Sequence, residues 1–137
     1  MGKLIREHIN GVIPQGMRPG RRELGVASVM ICISDAVPVH MKSAIREVSH
    51  LHVPLEHRRK HLGTALLNLI CQEADANSIT LLLIAQPYDG GPDEDELTAW
   101  YAKFGFTELQ DTVKGVMMVR KVHVPNRVAE SVWRELH

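Results

Sequence analysis

A chain of 137 residues, 45% of them hydrophobic, carries apolar material for one core and too little for two ordinary domains, so residues 1–137 read as a single domain. Its 16 Lys and Arg balance its 16 Asp and Glu, and a sequence pI near 7.1 leaves no global field to hold a polyanion, which sets nucleic acid aside as a partner. No apolar run approaches the roughly 20 residues that span a bilayer and the N-terminus lacks a signal-peptide core, so the expectation is a cytoplasmic protein with no membrane partner.

The first twenty residues are punctuated by Gly11, Pro14, Gly16, Pro19 and Gly20 and leave room for at most a short helix or strand. Leu24 to Ser34 is apolar at both parities and predicts a strand in the middle of a sheet. Asp35 to Ser43, with Pro38, reads as a connection, and Ile45 to Val53 as a second strand, antiparallel to the first. Leu62, Ala65, Leu66, Leu69, Ile70 and Ala74 recur at helical spacing, so a helix begins near Leu62. Ile79 to Ala85 is a short apolar run of the kind buried on both faces, completing a βαβ unit. Gln86 to Asp95 is a Gly, Pro and Asp loop after a strand end, a position that often carries function. Asp93 and Glu96 are spaced as a capping pair for a short helix whose stripe is Leu97, Trp100, Tyr101 and Phe104, with Gly105 as its C′ residue. Thr107 to Asp111 and Gly115 to Val122 read as two strands, and Pro125 to His137 as a terminal helix. Cys32 and Cys71 fall in a strand and a helix, as small buried residues rather than a bridge or a nucleophile.

Residues 58 to 67, RRKHLGTALL, join a cationic loop to the first turn of a helix. The N–H groups of that turn carry partial positive charge, and Arg58, Arg59 and Lys60 stand just ahead of them, where positive charge opposes the helix dipole and asks for an anion. A pyrophosphate is the expected ligand.

The order strand, cationic loop, helix, buried strand, loop, short helix, Gly-Phe, strand resembles the GCN5-related N-acetyltransferase (GNAT) family over residues 44 to about 122. The family's pyrophosphate signature maps onto Arg58, His61 and Gly63, with His61 where a first Gly is usual, and Thr98 to Phe106 resembles its Tyr-x-Lys-x-Gly-Phe segment. Glu94 replaces an Asn that often contacts the cofactor arm. The resemblance implies an α/β (α+β) acyl-CoA N-acyltransferase fold, with a central mixed, mostly antiparallel sheet flanked by helices. Only some twenty residues precede the first strong strand, so the N-terminal acceptor side is shortened and is either open or walled by another subunit or partner.

The resemblance also implies acetyl-CoA as cosubstrate, no metal, and direct transfer to an amine on a small molecule or a protein. Backbone groups of Leu51, His52 and Val53 would meet the pantetheine arm, and Arg58, Arg59, Lys60, His61, Leu62, Gly63, Thr64 and Ala65 would cradle the pyrophosphate. Tyr101 would protonate the departing thiolate. For the base, Glu47 comes first because strand parity groups it with Ser49, Leu51 and Val53, whereas His50 and His52 face the other side; a bulge of the kind common in the family would invert that parity, and His50 is second. Two other classes stand beside this one. Eight histidines, with His50 and His52 at strand spacing and His57 and His61 four apart, suggest a metal site, although Arg58, Arg59 and Lys60 would repel a cation there. A catalytically silent acyl-CoA-binding or regulatory module is the other. The acids Asp89, Asp93, Glu94, Asp95 and Glu96 would favour a cationic amine or simply form a capped, solvated loop, and Val128, Val132, Trp133 and Leu136 offer a docking face for a homodimer.

Overall fold

A computed structural model of the chain describes residues 16–35, 37–54, 61–87 and 91–122. The expected terminal helix with its docking face, the Arg58–Lys60 triplet, His57 and Asp89 lie outside these residues. Six strands form one sheet: β1 (Gly20–Leu24), β2 (Ala27–Cys32), β3 (Ile45–His52), β4 (Thr80–Ala85), β5 (Thr107–Thr112) and β6 (Gly115–Arg120), in the order β1-β2-β3-β4-β6-β5. Helix α1 (Leu62–Ala76) connects β3 to β4, the one parallel pair, and α2 (Glu94–Ala102) follows β4; the other neighbours run antiparallel.

The run Leu24 to Ser34 is not one central strand. It breaks at Gly25, whose φ of 59° turns the chain, and Leu24 pairs back with Ala27 across a two-residue loop, so β1 and β2 form a hairpin and β1 takes the sheet edge. The strand after Gly115 ends at Arg120, two residues earlier than its pattern suggested.

Alternation assigns the faces. Ala27, Val29, Ile31, Arg46, Val48, Leu81, Leu83, Ala85, Val116, Met118 and Arg120 are all buried, while their neighbours in β2, β4 and β6 are half-buried. Both helices cover that buried face. Arg22 of β1 forks onto Glu73 of α1 at 3.0 and 2.7 Å, and Arg120 forks onto Asp75 of α1 while its Nε donates to the carbonyl of Phe104, just beyond α2, at 2.6 Å. Leu66, Leu67, Ile70 and Ala74 of α1 join Leu97 and Tyr101 of α2 in one apolar cluster with the strands. Arg46, fully buried, is held by the carbonyls of Met17, Lys42 and Ile45 at 2.8, 2.8 and 2.9 Å, and burial lowers its pKa.

Helix ends follow local chemistry. Asp93 accepts from the Glu96 N–H at 2.8 Å and the Glu96 carboxylate accepts from the Asp93 N–H at 3.0 Å, a complete capping box. Gly105, at φ 97°, closes the other end: its N–H reaches the Ala102 carbonyl and the Phe106 N–H reaches that of Tyr101, the paired bonds of a Schellman motif. α1 ends the same way on Ser78 at φ 57°, with Ile79 donating back to Ala74.

Candidate functional site

The β3–β4 ladder holds for three pairs only, from Ile45–Thr80 to Glu47–Leu82, whereas β4 stays paired with β6 as far as Ala85–Val116. Beyond Glu47 the two parallel strands part, and the facing edges of Val48–His52 and Leu83–Ala85 lack a ladder between them. The cause is a β-bulge. Met30 pairs with Ser49 but Ser28 pairs with His52, so β3 carries one extra residue, and His50 takes φ 55° to accommodate it. Histidine is among the non-glycine residues that tolerate this region.

The bulge overturns the parity expected from sequence. Glu47 and Ser49 lie on the open face, and His52 follows them there; Leu51 and Val53 turn to the helix face, where they pack on the core. A cleft of about 1020 Å³ opens at the split. Its lining takes Glu47 and Ser49 from one face and Val48 from the other, so it runs between the strands, through the sheet.

The N-terminus of α1 meets this cleft. His61 precedes the helix at φ 58° and ψ 24°, the left-handed conformation that a glycine would take there, and it lines the cleft together with Gly63 and Thr64. Ala65 already donates to the His61 carbonyl at 3.0 Å, which removes its N–H from any cradle; the groups that α1 itself does not use are those of Leu62, Gly63 and Thr64. The Leu62 side chain packs against the core, away from the cleft lining. A Cβ on Gly63 would lie 3.4 Å from Val53 and 3.9 Å from Trp100, so the helix start, β3 and α2 converge at this point.

Tyr101 lines the cleft from α2 and is 8% exposed. Its ring stands edge-on to Trp100 at 5.0 Å and to Phe106 at 5.8 Å, the latter being the apolar contact that accompanies the Schellman turn. Of the loop acids, Asp93 and Glu96 are committed to the capping box, and Glu94, the first residue of α2, is exposed and outside the cleft lining. His52 is exposed and likewise outside it. Glu47 and His50 both line it, and the Nδ1 of His50 is 3.0 Å from the hydroxyl of Ser49. Ser49, Trp100, Lys103 and Lys114 are cleft residues to which the sequence assigned no site role. Ser49 and Trp100 were legible only as parity or stripe positions, and Lys114 arrives through the β5–β6 turn, which no local pattern ties to the cleft.

Cys71 is buried on the core side of α1, and burial outweighs the nearby Arg120 to push its thiol up to about 11. Among the described residues no group of three or more His, Cys, Asp or Glu could hold a metal ion, and no helix is long and apolar enough to cross a membrane.

The chain matches no protein-family model and no curated protein. It is similar in structure to the ribosomal-protein-S18-alanine N-acetyltransferase from Escherichia coli, with a TM-score of 0.54 and 18% identity over 88% of this chain and 78% of that one. It is also similar to the paia N-acetyltransferase from Thermoplasma acidophilum in complex with coenzyme A, with a TM-score of 0.51 and 16% identity over 70% of this chain and 53% of that one. The fold is that of the GNAT acetyltransferases. It is similar as well to the solved structure of the anti-CRISPR protein AcrVA5, with a TM-score of 0.55 and 19% identity over 72% of this chain and 94% of that one.

Proposed function

We propose that the chain moves an acetyl group from acetyl-CoA directly to an amine on a small molecule or a protein. The observation that carries the reading is the split between β3 and β4, which brings unladdered strand edges, an α-helix N-terminus and a tyrosine to one cleft. The donor set fits the cosubstrate. Backbone groups along Val48–His52 suit the amides of a pantetheine arm as an added strand would, and the N–H groups of Leu62, Gly63 and Thr64, with Arg58, Arg59 and Lys60 preceding them in sequence, suit a pyrophosphate.

Acetyl-CoA supplies a thioester carbonyl already activated toward amines. Tyr101 holds the proton that the leaving thiolate takes, and its ring is fixed for that task by Trp100 and Phe106. Glu47 and His50, both on β3 at the cleft, are able to take the proton that the acceptor ammonium must lose. The helix face offers the cradle and the tyrosine, and the half-buried face offers Glu47 and Ser49, so donor and acceptor enter from opposite sides of the sheet.

Calorimetric titration with acetyl-CoA tests the reading, beside a variant with Arg58, Arg59 and Lys60 changed to Ala. Binding lost in the variant, followed by CoA release with amines, supports it. Binding without turnover on any amine would leave an acyl-CoA-binding module, and no binding by the folded chain would sink both.

A further inference from the structure

The bulge that splits the sheet also builds a hydrogen-bonded chain. The Ser49 hydroxyl is 3.0 Å from Nδ1 of His50, and the Cys32 thiol, from the neighbouring strand on the same open face, is 3.6 Å from the Ser49 oxygen. Two adjacent strand residues ordinarily point to opposite faces and cannot pair. Here the positive φ of His50 lets its ring turn back to the hydroxyl of the residue before it. Both Ser49 and His50 line the cleft; Ser49 is half-buried and His50 exposed.

The geometry points to Ser49 as a catalytic residue, the acceptor-facing end of a proton relay whose outer end is His50. It rests on the acetyl-transfer reading above. The relay assigns the Ser49 O–H as donor to Nδ1, so that neutral His50 carries its proton on Nε2, and the Cys32 thiol as donor to the Ser49 oxygen, which leaves that oxygen one lone pair for the acceptor. The acceptor ammonium gives a proton to Ser49 as Ser49 gives its own to Nδ1; the amine gains its lone pair, Ser49 is unchanged, the imidazolium of His50 gives a proton to solvent from Nε2, and proton exchange of the exposed ring with water restores the Nε2–H form for the next turnover. One proton enters the relay and one leaves it, and no co-reactant is needed. Glu47, on the same face, is then left to attract and orient the ammonium rather than to deprotonate it.

Two readouts test this on the intact chain. Long-range proton–nitrogen NMR of the histidine rings, with no ligand present, should find His50 in the Nε2–H form, and Ser49→Ala should release it to a mixture of tautomers. A proton on Nδ1 of neutral His50, or a tautomer unaffected by Ser49→Ala, overturns the relay. CoA release from acetyl-CoA is then followed with a lysine peptide, a peptide with a free N-terminal alanine, and spermidine. Ser49→Ala should lower kcat about 100-fold with the KM for acetyl-CoA unchanged, and Ser49→Thr, which keeps a hydroxyl, should restore most of it. If wild type transfers acetyl groups and Ser49→Ala does so equally well, the relay falls and acetyl transfer stands. If wild type binds acetyl-CoA yet acetylates none of these amines, both fall together.

Discussion

The guanidinium of Arg120 lies fork-on against the Asp75 carboxylate, at 2.9 and 2.8 Å, with the two side chains 10% and 18% exposed. The same arginine caps the carbonyl of Phe104, so one side chain ties β6 to the C-terminal end of α1 and to the turn that closes α2. Its partner holds the arginine charged and raises its pKa. Removing the carboxylate leaves a nearly buried cation, and Asp75→Ala should cost about 3 kcal/mol. Arg22 and Glu73 make the same fork with side chains 23% and 32% exposed, so Glu73→Ala should cost about 1 kcal/mol or less. Urea unfolding of both variants checks the difference; equal costs would mean that burial does not set the worth of these pairs.

Gly115 and Gly63 separate fold from site. A Cβ on Gly115, at φ 149°, would lie 2.3 Å from the carbonyl oxygen of Ala85, so Gly115→Ala must push the end of β4 aside and should cost about 3 kcal/mol or more. At Gly63 the added carbon meets Val53 at 3.4 Å, an ordinary contact. Gly63→Ala should therefore fold with stability within about 1 kcal/mol of wild type, while acetyl-CoA affinity drops because the methyl group crowds the N–H groups at the cleft. Thermal unfolding and calorimetry read the two effects separately.

Tyr101→Phe keeps the ring and removes only the hydroxyl. Stability should change by about 1 kcal/mol or less, because the edge contacts with Trp100 and Phe106 remain. CoA release should slow by about 100-fold with little change in acetyl-CoA affinity. A variant that turns over normally would remove Tyr101 as the acid.

The Cys71 thiol, pushed up from 9.0 to about 11, gives a signed pH effect. The unfolded thiol ionises first, so the stabilisation is intact below pH 9 and is lost as pH rises through 11. Partial solvent screening brings the expected loss to about 1–2 kcal/mol. The stability difference between wild type and Cys71→Ala should shrink by that amount between pH 8 and pH 11 in urea melts, and native Cys71 should resist thiol reagents at pH 8.

At His61 the left-handed backbone invites the residue it lacks. His61→Gly should relieve strain of about 1 kcal/mol, offset in part by the flexibility of the unfolded chain, and leave thermal stability unchanged or slightly higher. His61→Val should lower it by about 1 kcal/mol or more, since a branched side chain fits that conformation poorly.

What the sequence disclosed was local. Asp93 with Glu96 and Gly105 announced the two ends of α2 because caps are written within a few residues, and the apolar spacing from Leu62 placed the start of α1. The β1–β2 hairpin was hidden because apolar residues flank Gly25 on both sides and mask the turn. The bulge at His50 exists only in the register between β3 and β2, so periodicity within one strand carries no trace of it, and it was the family resemblance alone that raised it as an alternative. That single missing residue count misassigned the faces of Leu51, His52 and Val53 and obscured the contact between Ser49 and His50. Glu94, which motif spacing put where an Asn often contacts the cofactor arm, is exposed at the first position of α2 and outside the cleft lining.

Among the described residues, three ladder pairs join the half-sheet of β1, β2 and β3 to that of β4, β6 and β5, with the shared apolar core and the helices packed over it. Such a sheet is a peg held shut at one end and sprung at the other. A ligand that pairs with the unladdered edges would act as a seventh, removable strand, its backbone bonds counting toward the cohesion of the protein as well as toward its own affinity. At 100 times its dissociation constant it adds about 2.7 kcal/mol to the folded state. Without a ligand, the ladder between the two halves runs from Ile45–Thr80 to Glu47–Leu82, so a ligand paired along the open edges would double as part of the architecture.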